Sequence, residues 1–178
     1  MSIVSPIVPV NIDVANAPRG FLRGTRMMSP SGWRTVESLQ VGDILSCCRD
    51  EPVRVSALRA VMVSRPGAKA IWVTGEARGQ GRGVEPLYLA PEQMIVVAGD
   101  LLAAYFGVEE ALAPVGALVD GLELRLVDAP MTEIWYEIET EEPCALVVEG
   151  LQVAVGAAGR DTRPVLSAAE ARLLALAA

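Results

Sequence analysis

Gly20-Phe21-Leu22-Arg23-Gly24-Thr25-Arg26, followed by Trp33-Arg34-Thr35-Val36-Glu37-Ser38-Leu39 and then Val41-Gly42-Asp43, decides how this chain reads. Residues 25–28 form a candidate strand, and Asp43 sits where a Val-Gly-Asp turn places it. Working outward, further candidate strands lie at 44–48, 53–63, 70–73, 87–89, 94–97, 123–126, 134–139 and 145–148. Short strands at regular spacing, bounded by Gly, Pro and Asp, predict an all-β domain. Within 132–140, Ile134, Tyr136 and Ile138 alternate with Trp135, Glu137 and Glu139, as in a half-buried antiparallel strand. Ala145-Leu146-Val147-Val148 is continuously apolar and suits a strand covered on both faces.

Two segments read as helices. Residues 100–106 end at Gly107, a C-terminal stop signal. Ser167-Ala168-Ala169-Glu170 is a capping box ahead of a stretch with high helix propensity, and Pro164 separates this helix from the β body.

The 178 residues suffice for one domain with a sizeable core. The formal charge of −7 argues against nucleic acid as a partner, because phosphate binding draws on clustered Lys and Arg. No apolar run reaches the roughly 20 residues that span a bilayer. Residues 1–18 lack a basic flank and carry Pro6, Pro9 and Asp13, so they do not read as a secretory signal. Three cysteines make no disulfide framework and suit a reducing interior. The expected location is the cytoplasm or an assembled particle.

The opening block resembles the start of a Hint domain, the self-cleaving module shared by inteins and hedgehog autoprocessing domains. The resemblance continues through Tyr88-Leu89-Ala90-Pro91-Glu92-Gln93-Met94-Ile95-Val96, Phe106-Gly107-Val108-Glu109-Glu110, Val115-Gly116-Ala117-Leu118-Val119 and Glu149-Gly150-Leu151. The tail, Arg163-Pro164-Val165-Leu166 with Glu170-Ala171-Arg172, is similar to a bacterial subfamily of stand-alone or C-terminal Hint domains. The implied fold is a horseshoe of bent antiparallel strands with a short C-terminal helix. Residues 1–19 would form an extended arm, favoured by Pro6, Pro9 and Pro18, and residues 20–178 the domain.

The resemblance also implies a chemistry to test against the residues. It puts the family's nucleophile at Gly20, its activating imidazole at Gln93, and a second imidazole at or near Pro143. A Cys or Ser must attack the preceding carbonyl while an imidazole protonates the departing nitrogen. Gly20 has no side chain, Gln93 exchanges no proton near neutral pH, and Pro143 does neither. The chain has no His. The expectation is a Hint-like fold without self-cleavage. The alternative is self-cleavage through Cys144 or Cys48; Thr25, Ser29 and Cys47 are the other available nucleophiles. Without a His, such a thiol would need a pKa lowered by an arginine or a helix N-terminus, and Arg49 follows Cys48. The simpler reading puts Cys47 and Cys48 on opposite faces of a strand and makes Cys144 a small buried hydrophobe. Glu92 and Asp43 are the other residues near the family's catalytic positions.

No metal or cofactor is expected, since imidazoles and CxxC spacings are missing. Glu137, Glu139, Glu141 and Glu142 read as a solvated strand edge that discourages aggregation. The run 75–83 carries four glycines but precedes a strand rather than a helix, so it reads as a mobile hairpin tip and not a phosphate loop. Its Arg78 and Arg82 are candidate cationic contacts. The functional expectation is a structural or protein-interaction module in a larger assembly, meeting other proteins through the arm and this Gly/Arg-rich hairpin, with no nucleic acid and no membrane. Nothing in the sequence fixes the oligomeric state.

Overall fold

The computed structural model describes residues 12–48, 51–156 and 162–177. Its strands are β1 (Ile12–Ala15), β2 (Phe21–Leu22), β3 (Arg26–Ser29), β4 (Gly32–Thr35), β5 (Ile44–Ser46), β6 (Pro52–Val63), β7 (Lys69–Val73), β8 (Leu87–Leu89), β9 (Met94–Ala98), β10 (Glu110–Pro114), β11 (Leu124–Asp128), β12 (Ile134–Thr140), β13 (Cys144–Val148) and β14 (Leu151–Val155). Two α-helices, α1 (Asp100–Phe106) and α2 (Ala168–Ala177), complete the fold. One sheet runs β1-β6-β12-β2-β8-β7-β11, with β5 also on β6, and the other runs β10-β9-β14-β13-β3-β4.

The chain is therefore all-β with a short C-terminal helix, as expected. Its long bent element is β6. It pairs through Pro52–Arg54 with β5 and through Val55–Met62 with β12, across a register shift at Glu139/Thr140. In its first half Val53 and Val55 point inward while Pro52 and Arg54 face water, the period-two pattern of a half-buried strand. The main core between the sheets gathers Phe21, Met27, Leu45, Ile71, Leu89 and Leu146 with their neighbours.

The strand at 134–140 departs from the simple alternation. Trp135 is fully buried in a second cluster, with Val61, Val63, Ala70 and Ala129, so both faces of β12 are covered there. Nor is β12 an edge: it lies between β6 and β2. The pairing with β2 covers only Trp135 and Tyr136, so at Glu137 and Glu139 β12 is paired on the β6 side alone.

Part of the arm joins the fold. Ile12–Ala15 pairs in parallel with Ala60–Val63, and the Ser64 amide donates to the Ala15 carbonyl. The preceding residues, 1–11, lie outside the described residues. The tail also differs from expectation. The Leu112 amide donates to the Pro164 carbonyl and the Leu166 amide to the Leu112 carbonyl, so Pro164 is stitched to β10 rather than parting helix from body. The capping box does form: the Ser167 amide and hydroxyl both donate to Glu170, whose amide donates back to Ser167 Oγ. Beneath the two helices a third cluster holds Leu102, Ala111, Ala113, Leu166 and Ala171.

Candidate functional site

Gly20, Gln93 and Pro143 stand far apart in sequence and line one cleft of about 700 Å³. Gly20 arrives on the link from β1 to β2, Gln93 on the turn before β9, and Pro143 on the turn from β12 to β13. Arg19, Thr140 and Gly156 border them.

Gly20 is required by two independent constraints. Its φ is +72°, a region that L side chains rarely occupy. A Cβ placed on it would sit 2.0 Å from the Tyr136 carbonyl oxygen on β12. The backbone of the neighbouring strand occupies the space that a side chain would need. Gln93 is also engaged: its Nε2 donates to the Ala154 carbonyl at 2.7 Å, pinning the turn to β14. Pro143 closes the far side, with its Cα packed beside Gly156.

Ionic contacts in the cleft are loose. Arg19 lies 3.8 Å from Glu137 and, beside it, Arg54 lies 3.6 Å from Glu141, pairs of the exposed kind that contribute little. The acids and arginines of the lining offer hydrogen bonds and charge, and none of these residues is a thiol or an imidazole. Among the described residues no group of three or more Cys, Asp or Glu converges to hold a metal ion.

The cysteines lie off this lining. Cys144 follows Pro143 and is half-buried against the main core, with its Sγ 3.8 Å from Thr140 Oγ1. Cys47 is buried and bridges to Leu146, while Cys48 is half-buried. The cation at Cys48 is one the sequence did not suggest: Arg163 Nη2 donates to Cys48 Sγ at 3.0 Å and its Nε donates to Glu110 at 2.9 Å. Arg49 lies outside the described residues. Asp43 is the turn residue it was read as, accepting from the Gln40 amide and pairing with Arg34. Glu92 is exposed and is not part of the lining.

Arg78 corrects the reading of the glycine-rich run. It lies in a 3-10 turn, Glu76–Arg78, and its side chain is completely buried. The guanidinium donates to the carbonyls of Thr74, Glu85 and Glu149 and lies 3.6 Å from the Glu149 carboxylate. Burial pulls its pKa below the ordinary arginine range, Glu149 pushes it back up and Arg26 opposes; an arginine stays charged regardless. Arg26 takes the same carboxylate in a two-pronged grip through Nε and Nη2, which raises its own pKa. So Arg78 presents no charge to a partner. Arg82 does face water, paired with Glu76 at 2.8 Å. The Arg78–Glu149–Arg26 knot escaped sequence reading because Arg78 and Glu149 are 71 positions apart. One local signal existed. Glu149-Gly150 joins β13 to β14 with φ of +47° and +90°, the two-residue hairpin turn that favours Gly at its second position.

The Hint domain family profile matches residues 19–155, well over half of the chain. Among solved structures, the solution structure of a bacterial intein-like domain from Clostridium thermocellum is 15% identical with a TM-score of 0.51, and the match covers 78% of this chain and 99% of that one. The crystal structure of an MchDnaB-1 intein is 16% identical with a TM-score of 0.48, covering 78% of this chain and all of that one. No protein of curated function matches the sequence. At 15% identity the likeness to the intein-like domain speaks to fold alone. The chain belongs to the Hint domain family.

Proposed function

We propose that this Hint domain does not cleave its own chain and serves as a structural or protein-interaction module within a larger assembly. The observation that carries this reading is the state of Gly20. If the family's cutting point lies at Arg19–Gly20, the residue that must supply the nucleophile has no side chain, and the Tyr136 carbonyl fills the place where one would start. Gln93 supports the same reading, because its amide is tied to Ala154 and does not serve as a general acid or base near neutral pH. The arm then stays attached, consistent with its pairing along β6.

One observation favours a second reading, in which the chain cleaves itself by a cysteine. The Arg163 guanidinium reaches Cys48 and donates to its Sγ at 3.0 Å, placing a cation against a thiol. Intact mass of the purified, untagged chain after long incubation, with and without dithiothreitol, separates the two. The proposal expects one full-length mass in both conditions. A thiol-dependent fragment ending before Gly20, or beside Cys48 or Cys144, overturns it and names the nucleophile.

A further inference from the structure

The C-terminal helix is apolar on opposite faces. Of its ten residues, Glu170 and Arg172 alone are polar. Ala171 and Leu174 pack inward on the cluster beneath the helices. Leu173 and Leu176 point the other way, and Leu176 leaves 72% of its surface in water. A helix that carries leucines on the face opposite its core side leaves an apolar stripe that a partner can cover. Helix α1 touches α2 and repeats the pattern: Leu102 and Phe106 face inward, while Leu101 and Tyr105, one turn apart, are exposed.

The charges near these side chains say what would cover them. Asp100 opens α1, Glu109 follows it and Glu170 lies one turn from Leu173; all three are exposed. Asp100 and Glu109 make no ion pair among the described residues, and Glu170 is held by Ser167, whose amide and hydroxyl keep its carboxyl below the usual glutamate range. The cation on the same helix, Arg172, is tied to the Val119 carbonyl. A second copy would bring the same acidic fringe against its own kind, which like charges disfavour. An apolar segment flanked by Lys or Arg fits both the leucines and the acids.

We propose that the outward face of α1 and α2 docks an amphipathic helical segment of a partner protein, with leucine-like anchors on one stripe and basic residues beside it. This surface shares no residue with the cleft lining, so its test can fail while the reading of the cleft stands, and the reverse.

The test is an NMR titration of the isotope-labelled full chain with a capped Leu/Lys peptide of helical periodicity, and with the same peptide carrying Glu in place of Lys. The Leu/Lys peptide is expected to shift the amides of α1 and α2, while the Leu/Glu peptide leaves them unmoved. The double variant Leu173→Ser with Leu176→Ser, whose side chains point away from the core, should keep the spectrum of the fold and weaken binding by about tenfold or more. Shifts confined to the acidic end of β12, equal response to both peptides, or undiminished binding by the double variant would overturn the proposal. So would concentration-dependent dimerisation of the peptide-free chain through these helices, which assigns the face to a second copy.

Discussion

The cleft at Gly20 and the knot at Arg78 are built from the same materials in opposite ways. Around Arg78, a guanidinium sealed from water commits three of its N–H groups to carbonyls and shares a carboxylate with Arg26. Around Gly20, about 700 Å³ stays open, and the residues at its base offer a bare backbone, a committed amide and a proline ring. Buried polarity in the knot holds loops together. Open space in the cleft has the form of a site, and its lining holds no thiol and no imidazole. Burial alone therefore does not mark function in this molecule, and concavity alone does not mark chemistry.

Placing a thiol at Gly20 is the sharpest way to break this contrast. Gly20→Cys should destabilise the fold by about 4 kcal/mol, because the side chain meets the Tyr136 carbonyl and the residue is held at positive φ. Urea denaturation reads the loss. A stable variant that shortens its own chain would mean that the cleft is far more plastic than its packing suggests. Arg78→Met should come next, at about 3 kcal/mol, since three part-buried carbonyls lose their donor while Glu149 keeps Arg26. A loss below that of an ordinary surface substitution would move the knot to the decorative side of the comparison.

Gln93→His sharpens the other half. It restores an imidazole but removes the bond to Ala154, so the expected result is a loss of about 1 kcal/mol and an unchanged intact mass. The smallest effect belongs to Asp120, outside both regions. Burial tends to raise its carboxyl, but the amides of Leu122, Glu123 and Leu124, all donating to Oδ1, hold it net below the ordinary aspartate range. A carboxyl lowered in the folded state gives stability that is present above its unfolded pKa and lost as pH falls through the folded value. Because the loop is exposed, the acid limb should be shallow, and Asp120→Asn should flatten it in pH-dependent thermal unfolding without moving the neutral baseline much.

Much of the fold was legible because β pairing follows local periodicity. The stretches at 53–63, 134–139 and 145–148 became β6, β12 and β13, and Gly107 and the Ser167 box ended and opened helices as read. Other strands were hidden. Phe21–Leu22 is only two residues long, and Ile12–Ala15 is mostly exposed, so neither shows an apolar rhythm of its own. The neighbours of β12 were hidden for a related reason, and β2 meets it only at Trp135 and Tyr136. Alternation tells which side chains share a face but not which strands lie on either side.

The order and composition of the residues determined an all-β class, a capped terminal helix, the absence of His, and membership of the Hint domain family over residues 19–155. Those are properties of near neighbours along the chain or of the residue count, and need no third dimension. Only the tertiary structure decided that the three positions share a cleft, that β12 denies Gly20 a side chain, that Arg163 lies on Cys48, and that Arg78 turns inward to Glu149. Each of these depends on two segments distant in sequence meeting at a particular depth. That depth sets whether a polar group must find a partner inside the protein or can leave its hydrogen bonds to water.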